Sequence, residues 1–174
     1  MPPVRLVVGS GPPELPPPKY VGFAVADEPQ AALAARGVLL AGGNAADAAT
    51  ALGLALAVTL PSSAGLGGGG ACVVYQSATA KAESLTFIPQ GDDVAAPVLA
   101  RGLFALHAKY GSTPWPQVVA PAENLARFGA PVSRAFARDL SAYGSSLIAD
   151  RTALGAFMTQ RRRVLQAGDT FVQP

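Results

Sequence analysis

The chain has 174 residues, half of them apolar and only 14% charged, with a net charge of +2. Disorder over the whole length is excluded, since it requires few hydrophobics and much charge, and a single cysteine, Cys72, excludes a disulfide framework. The longest apolar stretch, Ala48 to Leu60, has 13 residues, the length of a buried helix rather than the roughly 20 that span a bilayer.

Residues 1–19 carry seven of the 16 prolines, from Pro2 to Pro18. Proline fixes φ and removes donors, so this segment is expected to be an extended linker, with the folded part running over 20–174. Val4 to Val8 is short and broken by Arg5, which does not make a signal-peptide core. Tyr20 to Ala26 is rich in β-branched and aromatic residues and reads as a strand. Asp27 and Pro29 start a helix that Gly42-Gly43 ends. Asn44 is placed to cap the next helix, with Asp47 at its third position as a capping-box partner. That helix runs to Leu60, stops before Pro61, and is apolar on all sides, so it belongs at the centre of the fold.

Gly65 to Gly70 is a glycine loop, followed by two strands of a hairpin, Ala71 to Gln76 and Glu83 to Ile88. After Asp92-Asp93 the pattern turns helical. Leu99, Leu103, Leu106 and Tyr110 form one stripe between Pro97 and Tyr110. Further helices are expected over Gln117 to Arg127, Ser133 to Tyr143 and Asp150 to Gln160. Gly168 to Pro174 reads as a loop with no closing element. Charge divides along the chain: residues 1–100 hold 4 Lys/Arg against 7 Asp/Glu, and the remainder 9 against 4. The Arg161-Arg162-Arg163 cluster is read as a solvated face or as partners for the acidic half. Nucleic-acid binding is the weaker alternative, because no aromatic residue interleaves the cluster.

Gly65, Gly67 and Gly70 satisfy G-x-G-x-x-G, but the order is helix, glycines, strand, whereas dinucleotide sites need strand, glycines, helix. Close backbone approach is the better reading of the loop. His107, the sole histidine, is read as a helix-surface residue before a catalytic base. One His and one Cys cannot supply a zinc site, and no metal or cofactor is implied. Cys72 lies in an apolar strand, where burial makes a thiol inert. Asp92-Asp93 is read as a solvated turn before a catalytic carboxylate pair.

Three segments carry a resemblance to the N-terminal part of the large subunit of the γ-glutamyltransferase (glutathione hydrolase) family. Ala41 to Ala49 (AGGNAADAA) is similar to the GGNAxDAA corner, and Pro61 to Gly70 (PSSAGLGGGG) to the glycine loop. Tyr110 to Gly129, followed by Pro131-Val132-Ser133, resembles the YG-x-LPW…PA…LA…G…VS stretch. The resemblance implies part of an N-terminal-nucleophile hydrolase, an α/β (α+β) fold built as a four-layer αββα sandwich and cleaved into two subunits. It implies an acyl-enzyme on a threonine whose own amine is the base, backbone N–H groups holding the oxyanion, and a periplasmic or extracellular location. No threonine here precedes Thr-His, so no catalytic residue is expected in this chain. The nucleophile is expected on a small subunit or on the remaining C-terminal polypeptide.

The family's D-F-R-E strand maps onto Phe87, with Ile88, Pro89 and Gln90 at the substrate-binding positions and Ile88 where the carboxylate-binding arginine stands. Isoleucine cannot form the bidentate guanidinium–carboxylate pair; the bland alternative is a core strand residue. The leading expectation is therefore a large-subunit portion of an amidohydrolase acting on γ-glutamyl or related acyl amides. The competing one is a non-catalytic binding subunit that kept the fold and lost the site. Low charge and high apolar content call for a partner polypeptide in both.

Overall fold

In the computed structural model, which describes residues 22–91, 96–148, 155–159 and 163–173, local chemistry fixes the starts of the first two helices. Helix α1 (Pro29–Leu40) is capped by Glu28 rather than Asp27: the buried Glu28 carboxylate accepts from the Ala31 N–H at 3.0 Å. Gly42, at φ +95°, ends the helix in the left-handed conformation that glycine adopts cheaply. Helix α2 (Ala45–Thr59) opens with the expected capping box. Asn44 Oδ1 accepts from the Ala46 and Asp47 N–H groups, and Asp47 Oδ2 accepts from the Asn44 N–H.

Alanines at positions 46, 48, 51, 55 and 57 are buried around α2. Such small side chains let neighbouring helices approach closely, and α1, α4 (Leu99–Tyr110) and α5 (Trp115–Phe128) all pack on it. A one-turn helix, α3 (Pro61–Ala64), leads into the glycine loop. Strands β1 (Gly70–Gln76) and β2 (Lys81–Phe87) form the expected antiparallel hairpin, in register from Gly70↔Phe87 to Gln76↔Lys81. One hairpin face, with Val74, Leu85 and Phe87, is half-buried; the other leaves Val73 and Tyr75 exposed.

A second core gathers Leu60, Val132, Phe136, Leu140, Leu165 and Phe171 under α6 (Arg134–Ile148). The Phe136 and Phe171 rings lie 5.3 Å apart within it.

Four expectations need correction. Gly22–Ala26 belongs to neither sheet: the alternation is there, with Phe23 and Val25 exposed and Ala24 and Ala26 half-buried, but both described sheets consist of other strands. A strand is completed by a neighbour's backbone groups, and no described strand lies beside it. The C-terminal segment is closed after all, because β4 (Thr170–Phe171) pairs antiparallel with β3 (Ala130–Pro131) and buries Phe171. Cys72 is half-buried, not a core thiol. His107 is drawn into a polar cluster instead of lying on the helix surface. The proline-rich segment, Asp92-Asp93, Arg161-Arg162 and most of Asp150–Gln160 lie outside the described residues.

Candidate functional site

The glycine loop, the end of β2 and the start of α4 meet at one place. A Cβ on Gly69 would stand 2.1 Å from the Phe87 carbonyl oxygen and 2.6 Å from Pro89 Cδ, so only glycine lets the loop pass there. Close backbone approach thus falls on Gly69, and on Gly65 against the Pro61 carbonyl, while Gly67 faces open space. The Gly68 carbonyl accepts from the N–H groups of Val98 and Leu99, which ties the loop to α4. Helix, glycines, strand is the order observed, and no helix N-terminus follows the glycines.

Ile88, Pro89 and Gln90 continue from β2 beside this loop. Ile88 is 63% exposed, so it is no core strand residue; Pro89 is half-buried and Gln90 exposed. The Phe87 ring lies on Gly102 of α4, where an added Cβ would meet ring atoms at 2.1–2.5 Å. Strand alternation then directs Ile88 to the opposite face, away from α4. Arg101 borders a cleft of about 380 Å³ along β2 with Leu85, Thr86, Phe87, Val98, Gly102 and Ala105. Ile88 is not among the residues that line this cleft.

A second polar centre was not legible as a unit. Asp47, fully buried, accepts from the N–H and Oγ of Ser112 (Oγ at 2.8 Å), from the N–H and Oγ1 of Thr113, and from the Asn44 N–H. His107 Nε2 lies 2.8 Å from the Thr113 carbonyl oxygen and 3.3 Å from Asp47 Oδ1, so it carries a proton to donate to these acceptors. Burial pushes the Asp47 carboxyl up, but the hydrogen bonds from Asn44, Ser112 and Thr113 outweigh it and hold the pKa below its ordinary value. The Trp115 ring meets the His107 ring edge-on at 5.2 Å. Every donor here is spent on joining helix ends, which makes the cluster a structural corner. Its sequence trace was the capping box alone.

Glu83 of β2 takes hydrogen bonds from Lys109 and Tyr110 of α4, chiefly from Lys109, and these hold its carboxyl below the usual range. Among the described residues no three His, Cys, Asp or Glu side chains converge as a metal site. No described helix is long and apolar enough to cross a membrane.

The family model described as gamma-glutamyltranspeptidase matches residues 31–91 and 86–174. The glutathione hydrolase proenzyme of Escherichia coli (strain K12) is 37% identical over 160 residues, covering 78% of this chain and 28% of the relative. Glutathione hydrolase 2 of Arabidopsis thaliana is 32% identical over 151 residues, covering 76% of this chain and 26% of the relative. The crystal structure of Helicobacter pylori gamma-glutamyltranspeptidase superposes with a TM-score of 0.81 at 29% identity, over 88% of this chain and 51% of that one. The Bacillus anthracis transpeptidase CapD, at 24% identity and a TM-score of 0.79 over 87% of this chain and 54% of that one, shares the fold. The chain thus spans less than a third of the length of these curated relatives.

Proposed function

The chain belongs to the gamma-glutamyltranspeptidase family, and from that premise we propose that it is the large-subunit portion of an amidohydrolase acting on γ-glutamyl or related acyl amides. Its fold is part of the family's N-terminal-nucleophile hydrolase sandwich, mixed helix and strand and incomplete in this chain. The observation that carries the reading is the junction of glycine loop, β2 end and α4, where Gly69 is packed against Phe87 and Pro89. That packing needs glycine for a structural reason, and it brings the Ile88–Gln90 strand end to the surface.

In this reading a small subunit, or the remaining C-terminal polypeptide, supplies a threonine nucleophile activated by its own amine, and the acyl group passes through an ester on its oxygen. This chain supplies no catalytic group; its part is the acyl-binding wall. Ile88 offers an apolar, exposed surface where a guanidinium would grip a carboxylate. A charge-assisted contact of that kind contributes about 1.5–3 kcal/mol, equivalent to roughly ten- to a hundredfold in kcat/KM. The enzyme is therefore expected to prefer acyl groups without an α-carboxylate.

The test compares γ-glutamyl and 4-aminobutyryl anilides, which differ only in the α-carboxylate, on the assembled protein and on Ile88→Arg. Wild type should favour the 4-aminobutyryl substrate, and Ile88→Arg should raise γ-glutamyl turnover by about tenfold or more. Strong γ-glutamyl preference in wild type, unimproved by arginine, contradicts the role given to Ile88. Absence of turnover on both substrates supports the second reading, a binding subunit without the site, which the missing guanidinium at Ile88 favours.

A further inference from the structure

The helix layer carries an apolar groove that the described residues leave open. It lies between α1 and α5, encloses about 300 Å³, and is lined by Gln30, Leu33 and Ala34 on one side and Pro121, Asn124 and Phe128 on the other. Leu33 and Phe128 are exposed, Phe128 to 73%. On α1 the same stripe continues by helical spacing to Gly37 and to the exposed Leu40. Gly37 stands inside a 12-residue helix, where glycine weakens the backbone. A Cβ there would meet nothing within 4 Å, so no described neighbour requires glycine at this point. A chain laid along the stripe supplies the reason.

We propose that this chain's own segment Pro12 to Pro18 occupies the groove as a polyproline II strap. Five of those seven residues are proline, and polyproline II leaves its backbone carbonyls without internal donors. Proline-rich segments dock in aromatic-lined grooves. Here Pro121 and Phe128 supply the ring surfaces, and Gln30 and Asn124 carry amide donors for the carbonyls. The length suffices. Gly22 packs near the C-terminal end of α1, where an added Cβ would stand 3.4 Å from Leu39 Cδ1. Passing round half of a helix about 11 Å across takes about 17 Å, and the stripe from Gly37 to Gln30 is about 10 Å long. The roughly ten residues from Pro12 to Gly22 span about 31 Å as polyproline II, which covers both. The tether also selects the occupant. A short linker holds the segment at a millimolar effective concentration, so even a weak site fills. A second copy of the chain would need about 800 Å² on each partner, more than a groove of this size offers. The groove belongs to the helix layer alone, so the proposal is independent of the role given to Ile88.

The test is hydroxyl-radical footprinting of the assembled protein, read by peptide mass spectrometry at Phe128 and, as a control, at Phe104, exposed on α4 outside the groove. Deleting residues 1–19 should raise labelling of Phe128 by about threefold, as its ring passes from covered to open, and leave Phe104 unchanged. A synthetic peptide of residues 10–19, added in excess to the shortened protein, should restore the protection. The same peptide with every proline replaced by alanine should not, because the preformed backbone is lost. Equal labelling of Phe128 with and without residues 1–19 overturns the proposal: the ring is then open or covered by another polypeptide, and protection that falls on dilution identifies a second copy. Equal rises at Phe128 and Phe104 overturn it too, as does equal protection by the alanine peptide. A second measurement needs no deletion. Photo-leucine incorporated in place of leucine in the intact protein should cross-link the peptide carrying Leu15 to those carrying Leu33 or Phe128, and cross-links of Leu15 confined to other regions overturn the proposal. Neither result bears on the anilide experiment.

Discussion

At Asp47 one carboxylate closes three helix ends. It completes the cap of α2, receives Ser112 just after α4, and receives Thr113 just before α5. Removing the negative charge without changing size isolates this role. In Asp47→Asn one oxygen becomes an NH₂ group, which faces the donors of Ser112 and Thr113 instead of accepting from them. A loss of about 3 kcal/mol is expected in urea unfolding at neutral pH. The pH dependence has a definite sign. The folded pKa lies below the unfolded one, so the carboxylate's contribution is complete above about pH 5 and is lost as pH falls through the folded value, below the usual 4. The gap between wild type and Asp47→Asn should accordingly be widest near neutrality and narrow below pH 4. A gap that stays constant over this range contradicts the assignment.

At the scale of elements, the contact between Phe87 and Gly102 joins the hairpin to the helix layer. Gly102→Ala gains about 1 kcal/mol of helix propensity, but its Cβ would sit within 2.1–2.5 Å of the ring. Overpacking of that kind costs about 1–3 kcal/mol, so the variant should be less stable, and amide exchange in β2 should rise more than in α2. A stability gain, or uniform exchange, would show that the ring relocates freely. What was legible in the sequence divides along the same line of range. Asn44, Asp47 and Gly42-Gly43 act within a few residues, so helix α2 and its boundaries could be read directly. Gly22–Ala26 has strand chemistry, but a ladder depends on a neighbour that no local signal specifies. Strands β3 and β4 have two residues each and lie about forty residues apart, too short for any periodicity. His107 has the spacing of a surface residue and is claimed by Asp47 from sixty residues away.

Over the whole molecule, apolar surface remains where no described element covers it. Phe23, Val25, Val73 and Tyr75 are all exposed, and they lie on segments of strand character. The edges of the two-stranded hairpin, which no further described strand pairs, are of the kind that pair with another chain. Together with a charged fraction of 14%, this supports the expectation of a partner polypeptide seated against the hairpin. The candidate site was legible only as a position: the glycine loop and the strand end announced themselves, but the exposure of Ile88 and the placement of Arg101 required the packing of Phe87. The measurement that tests the central claim most directly is the intact mass of both polypeptides after the assembled protein meets a slowly hydrolysed acyl anilide. The account predicts one acyl adduct on the N-terminal threonine of the partner polypeptide, with this chain unmodified. An adduct on a residue of this chain, or anilide turnover by this chain alone, would contradict it.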